Sequence, residues 1–203
     1  MARDINDLIA HIRALEEELE SELIARRREL GYRFTEGHAR FTEAVKARHR
    51  ELKVSVGRFL AQSGFLEILT APFIYAVVIP IALLDAVASL YQAICFRVYG
   101  LRQVKRRDYL VFDRHRLAYL NWMQKLNCLY CSYANGVLAY VHEIASRTEQ
   151  YWCPIKHAER VKGTHKRYPA FLEYGDTASY PDSLREQRAR LREEDDGDET
   201  TPQ

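Results

Sequence analysis

Residues 65 to 96 read FLEILTAPFIYAVVIPIALLDAVASLYQAICF and form the only part of the chain too apolar to be comfortable in water. No residue from 68 to 84 carries a formal charge, a run of 17, and residues 86 to 96 add 11 more beyond Asp85. About 20 apolar residues in a helix cross a hydrocarbon core, and tilt accommodates an excess. Asp85 stands against a plain crossing, because a carboxylate well inside the bilayer costs on the order of 3 kcal/mol or more on insertion scales. It must face protein, water or a partner charge.

The stretch admits three readings: one spanning helix, a re-entrant or helical hairpin bent near Pro80, and a pair of core helices buried in a soluble domain. Pro80 would kink a helix interior, whereas Pro72 is tolerable near a first turn. A bend at Pro80 leaves arms of 12 residues (68 to 79) and 16 residues (81 to 96). Both flanks are basic, while a crossing helix collects Lys and Arg chiefly on its cytoplasmic side. The expectation is a bent insertion with both termini in the cytoplasm. The first 60 residues are charged throughout and contain no short apolar region with a small-residue cleavage site, so no secretory signal is expected there.

Working toward the N-terminus, Lys46, Arg48, His49, Arg50, Lys53 and Arg58 approach the apolar stretch and suit anionic headgroups. Before them, Ile5, Leu8, Ile12, Leu15, Leu19 and Leu23 recur at spacings of three and four among Glu and Arg, the signature of an amphipathic or coiled-coil helix. Such a stripe needs a partner surface: its own domain, a second copy or another protein. Phe34, Phe41, Val45, Leu52, Val56 and Phe59 extend the helical period, with Gly31 and Gly37 as break points.

On the other side, residues 97 to 116 hold seven basic residues (Arg97, Arg102, Lys105, Arg106, Arg107, Arg114, Arg116) against Asp108 and Asp113, so 7 − 2 gives +5 locally. The whole chain of 203 residues is only +2. Arg97, Arg102, Lys105, Arg106 and Arg107 are the expected membrane-surface residues, forming a collar at the lipid headgroups. No helix-turn-helix, zinc-finger or RNA-recognition pattern accompanies the charge, so a nucleic-acid partner is not expected. Nor is there a glycine-rich phosphate loop, a nucleophile elbow or a paired-carboxylate motif.

Helical periodicity resumes with Leu110, Leu117, Leu120, Met123 and Leu126, then Val137, Val141 and Ile144. Asn135-Gly136 between the two runs predicts a turn and an antiparallel helical hairpin, with a single long helix carrying an unfavourable Gly136 as the alternative. Cys128 and Cys131, with Cys153 and His157, supply three thiolates and an imidazole, a donor set suited to tetrahedral structural zinc. An iron–sulfur cluster is the less natural occupant. One straight helix from 137 to 152 would hold Cys153 away from Cys131. A hairpin folded about Ala134 instead sets His115 opposite Cys153, giving a rival cluster of His115, Cys153 and His157 with Asp113. A thiol redox pair at Cys128 and Cys131 is a further alternative. Cys95 reads as a small buried hydrophobe, and His142 and Glu143, lacking the rest of a HExxH pattern, read as ordinary surface or core residues. Residues 155 to 181 are irregular, and 182 to 203 predict an exposed charged helix fraying into disorder.

The run FDRHRLAYLNWMQKLNCLYCSYANGVLAYVHEIASRTEQYWCPIKHA, residues 112 to 158, resembles an uncharacterised family of small bacterial membrane-associated proteins with a CxYC and YWCPIKH region, over about a quarter of the chain. The resemblance implies a bacterial source and treats the cysteine region as one unit. The expected architecture is all-α: amphipathic or coiled-coil helices over 1–62, a bent apolar membrane helix or re-entrant hairpin over 63–98, a basic collar and Cys/His helical hairpin over 99–160, and an irregular to disordered tail over 161–203. The expected role is a structural or adaptor protein at the bacterial inner membrane, with the lipid bilayer as partner and the N-terminal helix joining a second copy or a protein. The alternatives are a redox or metal-dependent enzyme at the membrane surface and a soluble helical protein with a buried apolar hairpin.

Overall fold

The computed structural model describes residues 5–29, 32–35 and 38–197, and these are overwhelmingly helical. The chain divides into two compact units, one of Met1–Gln62 with Asp113–Leu126 and the other of Ser63–Phe112 with Asn127–Gln203.

In the first unit, α1 (Ile5–Glu29) carries its expected stripe with Leu8, Ile12, Leu15, Leu19 and Leu23 all exposed. At Phe34 and Phe41 the expected helical period gives way to an antiparallel hairpin of β1 (Tyr32–Thr35) and β2 (His38–Phe41), and it resumes as helix from Val45. Aromatic and β-branched residues on either side of a glycine-containing pair favour paired strands over helix, and spacing alone missed this. Helices α2 (Glu43–Glu51) and α3 (Val56–Gln62) follow. Thr42 Oγ1 accepts the Val45 N–H at 3.5 Å and Ser55 Oγ accepts the Arg58 N–H at 3.3 Å, so each start has a hydroxyl cap.

The second unit is built on α4 (Phe65–Ala76), α5 (Val78–Tyr99) and, from Asn127 onward, α6 (Trp122–Trp152). Val77, at φ −63 and ψ −18, joins α4 to α5 through one residue of right-handed helical conformation, so no chain reversal separates them. The bend expected at Pro80 takes a milder form. Pro80 lies in the first turn of α5, where its missing N–H costs little, and the helix interruption falls near the carbonyl four residues earlier, at Ala76. Pro72 is the proline inside a helix, the reverse of the sequence expectation. Gly100, left-handed at φ 69, ends α5, with Leu101 N–H donating to Phe96 O at 2.8 Å and Gly100 N–H to Arg97 O at 3.3 Å. That is a Schellman ending, closed by the buried Leu101 and Phe96.

The expected turn at Asn135-Gly136 is absent, and α6 runs unbroken for 31 residues. A β-carbon at position 136 would lie 2.8 Å from Tyr109 O and 3.2 Å from Leu110 Cα. Gly136 therefore serves close approach of another backbone to the helix, a use of glycine that sequence cannot separate from a turn. At its start, Asn121 Oδ1 accepts the Gln124 N–H and Gln124 Oε1 accepts the Asn121 N–H, each at 2.9 Å, a reciprocal capping box.

Helices α4 and α5 run parallel to α6, since their contacts rise in number together: Tyr75 with Asn127 and Tyr130, Asp85 with Tyr133, Gln92 with Tyr140, Tyr99 with Tyr151. Parallel neighbours require a returning connection. Residues 101–112 supply part of it, threading back with Leu101, Val104 and Leu110 buried against both helices.

The charged helix expected in the C-terminal region forms, but it is docked on one side. Helix α7 (Tyr180–Gly197) buries Gln187 and Leu191, and Arg188 donates to Tyr151 O at 2.8 Å while its guanidinium lies 4.5 Å from the Tyr151 ring centroid. One line of contact residues, spaced four apart, is enough to dock an otherwise charged helix. Residues 198–203 lie outside the described residues.

Candidate membrane-binding face and its polar seam

Helix α5 buries Ile81, Asp85, Ala88, Gln92 and Phe96, spaced 4, 3, 4 and 4 residues apart along a single face. Two residues away on the helical wheel, about 200° round at 100° per residue, stands a second stripe. Ile79, Leu83, Val87, Leu90, Ile94 and Val98 are 56–77% exposed along it. Phe65, Leu66, Leu69 and Phe73 extend this bare apolar surface through α4.

The buried stripe holds the polar atoms. Arg106 grips Asp85 with two hydrogen bonds, Nε to Oδ1 at 3.1 Å and a terminal nitrogen to Oδ2 at 2.6 Å, and Tyr133 donates to Oδ2 at 3.1 Å. The partner charge that a buried carboxylate demands is thus supplied by the connector. Gln92 treats Val104 as a strand neighbour, accepting its N–H at 2.9 Å and donating to its carbonyl at 3.4 Å. A buried extended segment needs its backbone groups paired, and Gln92 meets that need from a helix. Ser89 and Gln92 also bond the Tyr140 hydroxyl, and Tyr91 bonds Thr148 at 3.1 Å.

A second charged cluster lies beneath α6. Arg167 donates to both oxygens of the buried Glu143 at 3.0 and 2.8 Å and to Ser146 Oγ at 2.9 Å, while Arg147 Nε donates to Glu143 Oε1 at 2.9 Å. Burial pushes the Glu143 carboxyl up, but the hydrogen bonds and charge of Arg167, then of Arg147, outweigh it and hold the group below its ordinary value. Nearby, His165 Nε2 meets Glu149 Oε2 at 2.9 Å and its Nδ1 accepts the Arg167 N–H at 3.2 Å. With both ring nitrogens engaged, this histidine ties the loop at Arg167 to Glu149 of α6.

Of the expected membrane-surface residues, Arg97, Lys105 and Arg107 are exposed, with Arg107 Nε 3.7 Å from Asp108 Oδ1. Arg106 is the structural partner of Asp85, and the half-buried Arg102 gives its carbonyl to Arg147 at 3.2 Å. The expected metal donors are not brought together. Cys128 and Cys131 occupy consecutive turns of α6, whereas Cys153 follows its last residue, 153 − 131 = 22 positions on. That is about 33 Å along the axis at 1.5 Å per residue. His157, exposed, stacks on Tyr168 at 6.3 Å between centroids. Among the described residues no group of three or more His, Cys, Asp or Glu gathers to hold a metal. The reversal about Ala134 on which the rival cluster rests does not occur, because α6 runs straight through that position. Cys95 is half-buried, His142 is exposed, and Glu143 is a core residue.

Sequence reasoning identified Asp85 but missed Gln92, Tyr133 and the Glu143–Arg167 pair. The seven-residue interval from Asp85 to Gln92, two turns of helix, was the available signal that the polar groups share one face. Comparison with family models, curated proteins and solved structures returns no match. Fold and site together define a helical protein with one helix among the described residues, Phe65–Tyr99, long and apolar enough to cross a membrane. Only 17% of its most apolar window is buried, unlike the core helix of a soluble protein.

Proposed function

We propose that this is a membrane-anchored helical protein of structural or adaptor type, held at the bacterial inner membrane by Phe65–Tyr99 with both termini on the cytoplasmic side. The observation that carries this reading is the inversion of α5: Asp85 and Gln92 face the protein, and its outward stripe is aliphatic from Ile79 to Ile94, with the exposed Arg97 joining that face only in the last turn. Water penalises that arrangement by about 1.5 kcal/mol or more for each large aliphatic side chain left bare, and lipid removes the penalty. The adaptor element is α1, whose exposed leucine and isoleucine stripe suits a partner helix or a second copy. Flotation with lipid vesicles tests the anchor. The full chain is expected to float with vesicles containing anionic lipid in the absence of detergent; a monodisperse protein left in the aqueous phase would overturn the reading.

A further inference from the structure

We infer that the anchor lies in the plane of one anionic leaflet, seated on the aliphatic stripe of α5 and its continuation in α4, and does not cross the bilayer. This rests on the membrane-anchor reading above and specifies how the segment meets lipid. The apolar run Phe65–Tyr99 has its midpoint at residue 82, from (65 + 99)/2. Three residues from that midpoint Asp85 holds Arg106, and Arg106 brings with it the exposed Lys105, Arg107 and Asp108. A crossing centred on the run would drag these solvent-facing charges to the depth where charge is least tolerated. Helix α4 is outside their reach but has only 12 residues, about 18 Å, too short to span alone.

An in-plane seat has neither difficulty. The bare stripe lies opposite the packed one, so a leaflet can take up the first while the connector and α6 stay above it. Apolar faces of this kind enter the headgroup and acyl boundary by about 5–10 Å. The charge fits as well: residues 86 to 107 contain five basic residues and no acidic one, with Arg97, Lys105 and Arg107 exposed. That complements anionic headgroups better than a second copy of the same positive surface.

Nitroxide depth measurement tests the seat on the full chain with Cys95, Cys128, Cys131 and Cys153 replaced by serine. Ile79→Cys, Leu83→Cys, Leu90→Cys and Ile94→Cys are labelled one at a time on vesicles of mixed phosphatidylcholine and phosphatidylglycerol, with flotation and circular dichroism run on each. Depths agreeing within about 5 Å support the in-plane seat. Ile79 and Ile94 are 15 residues apart, so a crossing predicts depths changing across about 22 Å, and that result overturns it. Graded depth in a floating protein overturns only the in-plane geometry, whereas failure to float overturns the anchor itself. Labels immobilised in a vesicle-free dimer would assign the stripe to a second copy and also overturn the inference. Lys105→Glu with Arg107→Glu is expected to lower partitioning onto the anionic vesicles at least tenfold and to leave binding to pure phosphatidylcholine within twofold; equal losses on both would overturn the anionic preference.

Discussion

Helices α5 and α6 lie side by side in the same direction and turn different surfaces outward, one nearly all aliphatic and one mixed. The outer stripe of α5 is aliphatic from Ile79 to Ile94 and reaches Arg97 only in its last turn, while α6 exposes Cys131, Asn135 and His142 among Leu129, Leu138, Trp152 and alanines. Inward, both present carboxylates to arginines: Asp85 to Arg106, and Glu143 to Arg167 and Arg147. The two helices therefore share an interior chemistry and differ in the medium their outer faces suit. A buried charge pair by itself says nothing about membranes; the surface opposite it does.

The largest effect is expected from the better-buried pair. Glu143→Gln leaves Arg167, 6% exposed, without its counter-charge, which is expected to cost about 3–5 kcal/mol in urea unfolding. The same residue sets an acid limb. Because Glu143 is held below its ordinary 4.5, its contribution is complete above that value and is lost as pH falls through the lower folded value. Glu143→Gln should flatten this limb, and an unchanged acid profile would remove Glu143 from the account.

Gly136→Ala comes next, because the new β-carbon would meet the Tyr109 and Leu110 backbone; about 1–3 kcal/mol of destabilisation is expected. A neutral result would return position 136 to a loop-like role. Asp85→Asn is expected to cost about 1–2 kcal/mol. It falls below Glu143→Gln because Arg106, 47% exposed, can rehydrate. Equal costs at the two sites would erase the distinction between a seam at the protein edge and one in its core. Smallest is Cys128→Ser with Cys131→Ser, expected within about 0.5 kcal/mol of the parent and with a Tm insensitive to chelators. Unfolding on chelation would show that donors from another chain complete a site.

What was legible in the sequence was governed by local pattern. The apolar stretch, the α1 stripe and the need of Asp85 for a partner all follow from composition and period. What was not legible depends on residues far apart in the chain. Gly136 carries the same letter whether it turns a chain or admits Tyr109, and only the neighbour decides. Glu143 and Arg167 are 24 residues apart with irregular chain between them, so no helical spacing connects them. Leu191 and Gln187 dock α7 through too few apolar residues to stand out from its charge. Cys131 and Cys153 stand apart for a local reason that the sequence did show, since a straight helix over 137–152 separates them whether or not the chain turns at Gly136.

The most direct test of the central claim compares the outer faces of the two parallel helices on one set of anionic vesicles. Leu83→Lys with Leu90→Lys alters the outer stripe of α5, and Leu138→Lys alters that of α6, all three positions exposed and therefore tolerant of charge in the fold. Partition coefficients are read beside circular dichroism. The account predicts at least a tenfold loss for the α5 variant and a change within twofold for the α6 variant. Equal losses, or undiminished binding of the α5 variant, would contradict it.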